Sequence, residues 1–262
     1  MKTIALFLLC LSLIPAARAE APHEHRLNTG QGIGVPGLDS IVNLSKGYTF
    51  QNPAGVMYQH GLRGTLQYAK NGVSDTGVEA GYSSDTLGIA AGVWKPGCTN
   101  CESENGAIAG ASLSKFVALG LRYRKVAQTP LYGVGFLFNT DGEHRLGLNA
   151  EMTDPEGSSN NTTAYAAGYG FVTKEHSIAI DISKLEYEDP NTPDPTIQLL
   201  SVSFQKRSGP LSASLCYEKR LNDTADNNDD FWMGAGFNST NWHLGIYAEY
   251  RQEVMAVLSG YY

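Results

Sequence analysis

Long apolar runs are almost absent from this chain of 262 residues. Beyond its first fifteen residues no stretch approaches the length that a membrane-spanning helix needs, so a helical span is excluded. Cationic patches are absent as well. Lys and Arg number 19 against 26 Asp and Glu, the net charge is −7, and no basic cluster stands out, which argues against nucleic acid as a partner. The C-terminus lacks the polar, frayed tail on which most soluble domains end. The chain runs Glu253-Val-Met-Ala-Val-Leu-Ser-Gly-Tyr-Tyr262 to its last residue.

What is present is glycine, tyrosine and alternation. There are 29 Gly and 14 Tyr, more Tyr than the 9 Phe and 3 Trp together. Mean hydropathy is only −0.23, as expected where apolar and polar positions alternate and average out. Counting back from the end, Tyr262, Gly260, Leu258, Ala256 and Val254 are apolar or small. An alternating strand that stops at an aromatic residue resembles the closing strand of bacterial outer-membrane β-barrels. The resemblance implies that Leu258, Gly260 and Tyr262 belong to a signal read by the barrel assembly machinery. At the other end, Met1-Lys2, the apolar run Ile4 to Pro15 and the small-x-small step Ala17-Arg18-Ala19 form a secretory signal over residues 1–19, cleaved before Glu20. Cys10 within it follows Leu9 rather than a small residue, so no lipid anchor is read.

From residue 61 the sequence divides into segments of about ten alternating residues bounded by turn chemistry. They are 61–70, 75–83, 86–95, 106–114, 116–125, 131–139, 144–153, 162–173, 176–186, 196–206, 210–219, 230–238, 242–250 and 253–262. Ten tilted residues match a bilayer core. The connections also alternate. One set is tight throughout: 84–85, 115, 140–143, 174–175, 207–209 and 239–241. The other set is mostly longer: 71–74, 96–105, 126–130, 154–161, 187–195, 220–229 and 251–252. The fold class expected is therefore all-β, a transmembrane antiparallel up-and-down barrel of 14 strands over residues 60–262, with twelve as the rival count and both termini on the periplasmic side.

Period two also assigns faces. Val117, Leu119, Leu121 and Tyr123 alternate with Ala118, Gly120, Arg122 and Arg124, and Leu146, Leu148, Ala150 and Met152 with Arg145, Gly147, Asn149 and Glu151. The apolar set is assigned to lipid and the polar set to the lumen. A soluble β-sandwich shares this period but buries its apolar face in a core; the two chain ends favour the barrel. The lumen set holds Arg63, Arg122, Arg124 and Arg145 against Glu79, Glu151, Asp181, Glu218 and Glu249. Unpaired charges in a tight interior are costly, so pairing is expected. Inward Gly133, Gly135, Gly234 and Gly236 leave room for a plug or a passage. Tyr68, Tyr82, Trp94, Tyr123, Tyr132, Phe138, Phe204, Tyr217, Phe231, Trp242, Tyr250 and Tyr262 lie near strand ends, where girdles place amphipathic rings.

Residues 20–59 alternate poorly and are glycine-rich. Gly30-x-Gly-x-Gly precedes no evident strand–helix–strand unit, so it is not read as a nucleotide loop. One short helix over 39–46 is possible, capped by Asp39 or Ser40. Tyr48-Thr-Phe-Gln-Asn-Pro-Ala-Gly55 follows. A lumen of this width needs filling or carries water, so the segment is expected as a plug. Asn52, Pro53, Ala54 and Gly55, placed just before the first strand, resemble the hatch motif of the outer-membrane long-chain fatty-acid transporter family. That resemblance implies a plugged fourteen-strand barrel for uptake of fatty acids or aromatic hydrocarbons. The chain departs from the family in length: its external connections are short and polar, as in Asn222–Asp230, and build no greasy capture groove.

Other chemistry is thin. Cys98 and Cys101, in an external loop of an oxidising compartment, are expected to form a small disulfide; two further metal ligands at suitable spacing are lacking nearby. Cys216 alternates with Ser212, Ser214 and Glu218 and is read as a free inward thiol. His23, Glu24 and His25 read as a polar tail rather than a metal site. His243 and Ser259 sit on adjacent strands, yet the context of Ser259 carries no nucleophile motif. No enzyme, catalytic residue, metal or cofactor is expected. The expected partners are outer-membrane lipid and lipopolysaccharide, the assembly machinery and a hydrophobic small molecule, in the bacterial outer membrane. Passive uptake of small hydrophobic molecules is the first functional expectation. A structural or surface-exposed barrel without transport, or a small general diffusion porin, is the alternative.

Overall fold

The computed structural model describes residues 52–58, 61–71, 73–97, 103–126, 129–139, 143–153, 162–173, 175–187, 196–221, 229–239, 241–249 and 254–261. After a short 3-10 helix, Pro53–Tyr58, come fourteen strands: β1 Gly61–Asn71, β2 Val73–Ser83, β3 Leu87–Lys95, β4 Glu104–Ser114, β5 Val117–Val126, β6 Thr129–Asn139, β7 His144–Thr153, β8 Thr162–Val172, β9 His176–Tyr187, β10 Thr196–Ser208, β11 Leu211–Arg220, β12 Asp229–Asn238, β13 Trp242–Glu249 and β14 Val254–Tyr261. Each pairs antiparallel with its sequence neighbours, and β1 pairs with β14, so the sheet closes into a barrel without an edge. The closing register sets Gly64 opposite Gly260 and Leu66 opposite Leu258. Tyr262 lies outside the described residues.

The alternation read from the sequence sets the two faces. In β3 burial alternates from Leu87, with Leu87, Ile89, Ala91, Val93 and Lys95 outward and Gly88, Ala90 and Trp94 inward. Ile178, Ile180 and Ile182 are exposed on β9, and Leu244 and Ile246 on β13. An exterior of large apolar side chains is paired with an interior that buries Arg122, Arg124, Arg145, Asn149, Glu151, Asp181, Ser203 and Gln205. This inverts the arrangement of a water-soluble fold. Paired aromatic rings gather on the outer face toward the end of the tight turns: His144 packs on Phe171 with centroids 5.0 Å apart, His176 on Phe204 at 6.1 Å and Phe237 on Trp242 at 5.2 Å.

Three expectations are corrected. Trp94 is no girdle residue: its place in β3 turns it inward, where it is 4% exposed. The connections 71–74 and 126–130 are not loops; β1–β2 pairing runs to Asn71 opposite Val73 and β5–β6 pairing to Val126 opposite Thr129, so both are hairpins. Their polar residues extend the ladders because antiparallel pairing, once in register, carries on to the turn, past Pro130 opposite Lys125 in the second hairpin. The interior is also not uniformly polar. Leu137, Ile108, Trp94, Ala90 and Ala118 are buried inward on β3–β6. The tight turn between β10 and β11 uses Gly209 at φ 58°, a left-handed conformation suited to glycine.

Candidate functional site: a segment seated inside the barrel

The four residues Asn52-Pro53-Ala54-Gly55 begin a one-sided contact with the inner wall. Asn52 organises the turn. Its Oδ1 accepts a hydrogen bond from Ala54 N at 3.1 Å and its backbone carbonyl accepts one from Gly55 N at 2.9 Å. That is an asparagine cap, and Pro53 follows at the first helical position, where its missing N–H costs nothing. The other end of the Asn52 side chain reaches the wall: Nδ2 donates to Phe136 O at 2.6 Å and to Leu148 O at 3.3 Å, residues opposite each other on β6 and β7. Asn52 is 2% exposed, Ala54 0% and Val56 1%.

The wall beneath is shaped to receive this segment. Gly88, Gly110, Gly120 and Gly135 are consecutive cross-strand partners on β3, β4, β5 and β6. They form an inward row running across the strands. A Cβ on Gly120 would lie inside the backbone of Pro53 and Ala54. One on Gly135 would clash with Asn52 Oδ1 and come within 2.6 Å of Pro53 Cδ. One on Gly110 would stand 2.5 Å from Val56 Cγ1, and one on Gly88 3.2 Å from Val56 Cγ2. The helix packs accordingly against β2 through β6. The sequence placed Gly120 and Gly135 inward, but the row exists only in the register of four strands.

Charge lies one and two steps from the glycine row toward the long-connection end. Arg122 and Arg124 on β5 both pair with Glu151 on β7; the Arg124 Nη2 to Glu151 Oε1 distance is 2.8 Å. All three are buried. Gly133 lies between Arg122 and Glu151 in the register, and a Cβ there would stand 3.5 Å from Arg122 Cβ and Nε. That is ordinary contact distance, so the arginine packs directly over β6. Gly92 leaves less room beside Glu79: a Cβ on it would stand 3.3 Å from Glu79 Cβ. Each buried charge needs such a partner, since an uncompensated one costs several kcal/mol.

Of the inward set read from the sequence, Glu79, Arg122, Arg124, Arg145, Glu151 and Asp181 are buried, and Glu218 is half-buried beside Cys216 on β11. Arg122, Arg124 and Glu151 come together. The side chains of Arg63 and Glu249 lie outside the described ones, as do residues 98–102 with Cys98 and Cys101, and everything before Asn52. Cys216 is a buried free thiol 3.6 Å from Ser201 Oγ. His243 stands opposite Ser259 in the β13–β14 register.

No protein-family model and no curated protein sequence matches this chain. Solved structures do. The Pseudomonas putida toluene transporter TodX aligns with TM-score 0.58 and 8% identity over 92% of this chain and 96% of its own. The CymD monoaromatic hydrocarbon channel aligns with TM-score 0.55 and 10% identity over 80% and 91%, and a bacterial polysaccharide outer membrane secretin with 0.53 and 9% over 77% and 97%. The fold is that of outer-membrane β-barrels. At such identities the likeness is one of fold. This barrel's interior segment and charge cluster stand on their own geometry.

Proposed function

We propose that this protein is an outer-membrane β-barrel for passive uptake of small hydrophobic molecules, and that the segment ending in Asn52–Tyr58 is its hatch. The observation that carries the reading is the fit of Asn52–Val56 on the row Gly88, Gly110, Gly120 and Gly135. A structural pillar could fill its interior with any packed side chains. A row of bare backbone that receives one separate segment suits a piece that seats and leaves. The buried apolar residues Ile108 and Leu137, each two residues along its strand from the glycine row, together with Val56 and Met57 of the segment and Trp94 further along β3, support a hydrophobic solute, and two of the structures similar in fold are described as a toluene transporter and a monoaromatic hydrocarbon channel.

Planar-bilayer recording with the whole protein tests this. The expected result is a wild-type barrel that is nearly silent to ions, that binds toluene or a medium-chain fatty acid with quenching of Trp94 fluorescence, and whose conductance rises when residues 20–59 are deleted. Unchanged conductance after the deletion would sink the hatch. A general diffusion porin is the second reading. It is favoured by the small polar inner wall of β9–β11, where Ser177, Ser203, Ser212 and Ser214 are buried on the side away from the 3-10 helix. Steady ion steps from the intact protein, without hydrocarbon binding, would select it.

A further inference from the structure

Lysine and arginine are segregated in this barrel. Among the described residues, the arginines at buried inward positions, Arg122, Arg124 and Arg145, have no lysine among them. The lysines Lys95, Lys125, Lys184 and Lys219 are instead outward, each directly after the last apolar outward residue of a strand that rises toward the long-connection end: Val93 then Lys95, Tyr123 then Lys125, Ile182 then Lys184, Tyr217 then Lys219. Lys70 holds the same register position on β1, opposite Ser74. Arginine suits fixed, bidentate pairing inside. Lysine is a flexible point charge whose stem can lie on apolar surface while its ammonium reaches a boundary.

Two outward grooves lie below this rim. One, of about 750 Å³, has Ala80, Ala91, Ala107 and Ala109 as its floor, with Tyr82 and Ile89 along one side and Leu121 and Tyr123 along the other. The floor is continuous because Ala80, Ala91 and Ala107 are direct cross-strand partners. At its upper end Asn105 stands between the paired Val93 and Lys125, with Lys95 two residues beyond Val93. Asn105 and Lys95 are exposed and Lys125 half-exposed. The second groove, of about 620 Å³, has Ala150 and Ala167 in its floor, Phe136, Leu148 and Ile182 around it, and Lys184 at its upper end. There Glu186 lies 2.5 Å from the Lys184 ammonium. That makes the first groove the better anion site.

From this juxtaposition we infer that the outer face binds a phosphorylated, multiply acylated glycolipid, the lipid A portion of lipopolysaccharide. An acyl chain occupies the alanine-floored groove and a phosphate sits between Lys95, Asn105 and Lys125. The chemistry follows from the layout: an apolar trough wide enough for a chain, ending at two ammonium groups and an amide. The inference rests on the membrane reading above.

The test uses the full-length barrel in detergent, titrated with diphosphorylated lipid A, its dephosphorylated form and phosphatidylglycerol, with native mass spectrometry counting bound lipid. Lipid A should outcompete the other two. The double variant Lys95→Gln/Lys125→Gln should lose roughly thirty-fold in lipid A affinity, about five-fold per lysine. Ala107→Phe, which fills the floor from outside, should reduce binding of acylated forms while Lys206→Gln, at the tight-turn end, should not. Equal retention of lipid A by the double variant overturns the proposal. So does equal preference for phosphatidylglycerol, or protein dimers abolished by Ala107→Phe, which would make the groove a contact between copies. Insertion into vesicles is scored in parallel: a barrel that inserts but shows no lipid preference removes this site alone, whereas failure to insert removes the membrane reading itself.

Discussion

Asn52 carries more of the interior segment's geometry than any other residue. One side chain closes the turn through Oδ1 and ties it to two strands through Nδ2. Replacing it by alanine removes three hydrogen bonds, and leaves Phe136 O and Leu148 O without that donor. At about 1 kcal/mol net for each bond, the seat should weaken by about 3 kcal/mol. The barrel, held by its own ladders, should stay folded. Asn52→Ala is therefore expected to open the conductance in bilayers by shifting the hatch equilibrium, with little change in the unfolding midpoint. A large loss of barrel stability with no conductance would show that the segment is a structural strut. Gly120→Ala attacks the same contact from the wall. The added methyl cannot coexist with the Pro53–Ala54 backbone, so this variant should match the hatch deletion in conductance, whereas Gly209→Ala, in a turn with open space around it, should cost only strain at its positive φ. The Asn-Pro-Ala-Gly motif was legible because capping is local chemistry. Gly120 and Gly135 were legible as inward, but the row that receives the motif was not, because four residues from four strands become neighbours only when the long-range register is known.

At the scale of elements, β5, β6 and β7 form a unit in which one carboxylate serves two guanidiniums. Glu151 sits with Arg122 and Arg124 in the interior, all nearly shielded from water. Neutralising Glu151 leaves two buried like charges on one strand. Glu151→Gln should therefore destabilise the barrel by about 3–5 kcal/mol, the cost of breaking a buried network by removing one partner. Arg122→Met/Glu151→Leu/Arg124→Leu together should recover most of that, because an apolar replacement carries no desolvation cost. Urea titration of vesicle-embedded protein reads both; a triple variant no better than Glu151→Gln would show that the charges act through more than mutual compensation. That these charges point inward was legible in the sequence, since period two fixes the face. It was silent on their pairing, which joins β5 to β7 across β6 and so depends on the register of three strands. The same limit explains Trp94: position near a strand end suggested a girdle ring, but parity along β3, not nearness to the end, decides which way a ring turns.

For the molecule as a whole, the inversion of faces sets the sign of what a surface charge does. Ile180 stands at the middle of the outward row of β9, opposite Tyr169 on β8 and Val202 on β10, all exposed. On a water-soluble barrel, Ile180→Arg would remove an exposed apolar group and be neutral or favourable. In a bilayer it places a cation at the depth where the cost is about 2–4 kcal/mol, falling to about 0–1 kcal/mol near the interface. Lys184→Arg, two positions further out on the row, is the matched control, since a cation already stands there. The expected result is a loss of about 2–4 kcal/mol for Ile180→Arg and no more than about 1 kcal/mol for Lys184→Arg, measured by denaturant-dependent folding into phospholipid vesicles. Both substitutions leave the glycine row, the Glu151 cluster and the backbone ladders untouched, so the difference between them reports the medium around the barrel and nothing else. Equal, small effects at the two positions would mean that water surrounds both, and the apolar exterior would then need a protein partner to cover it.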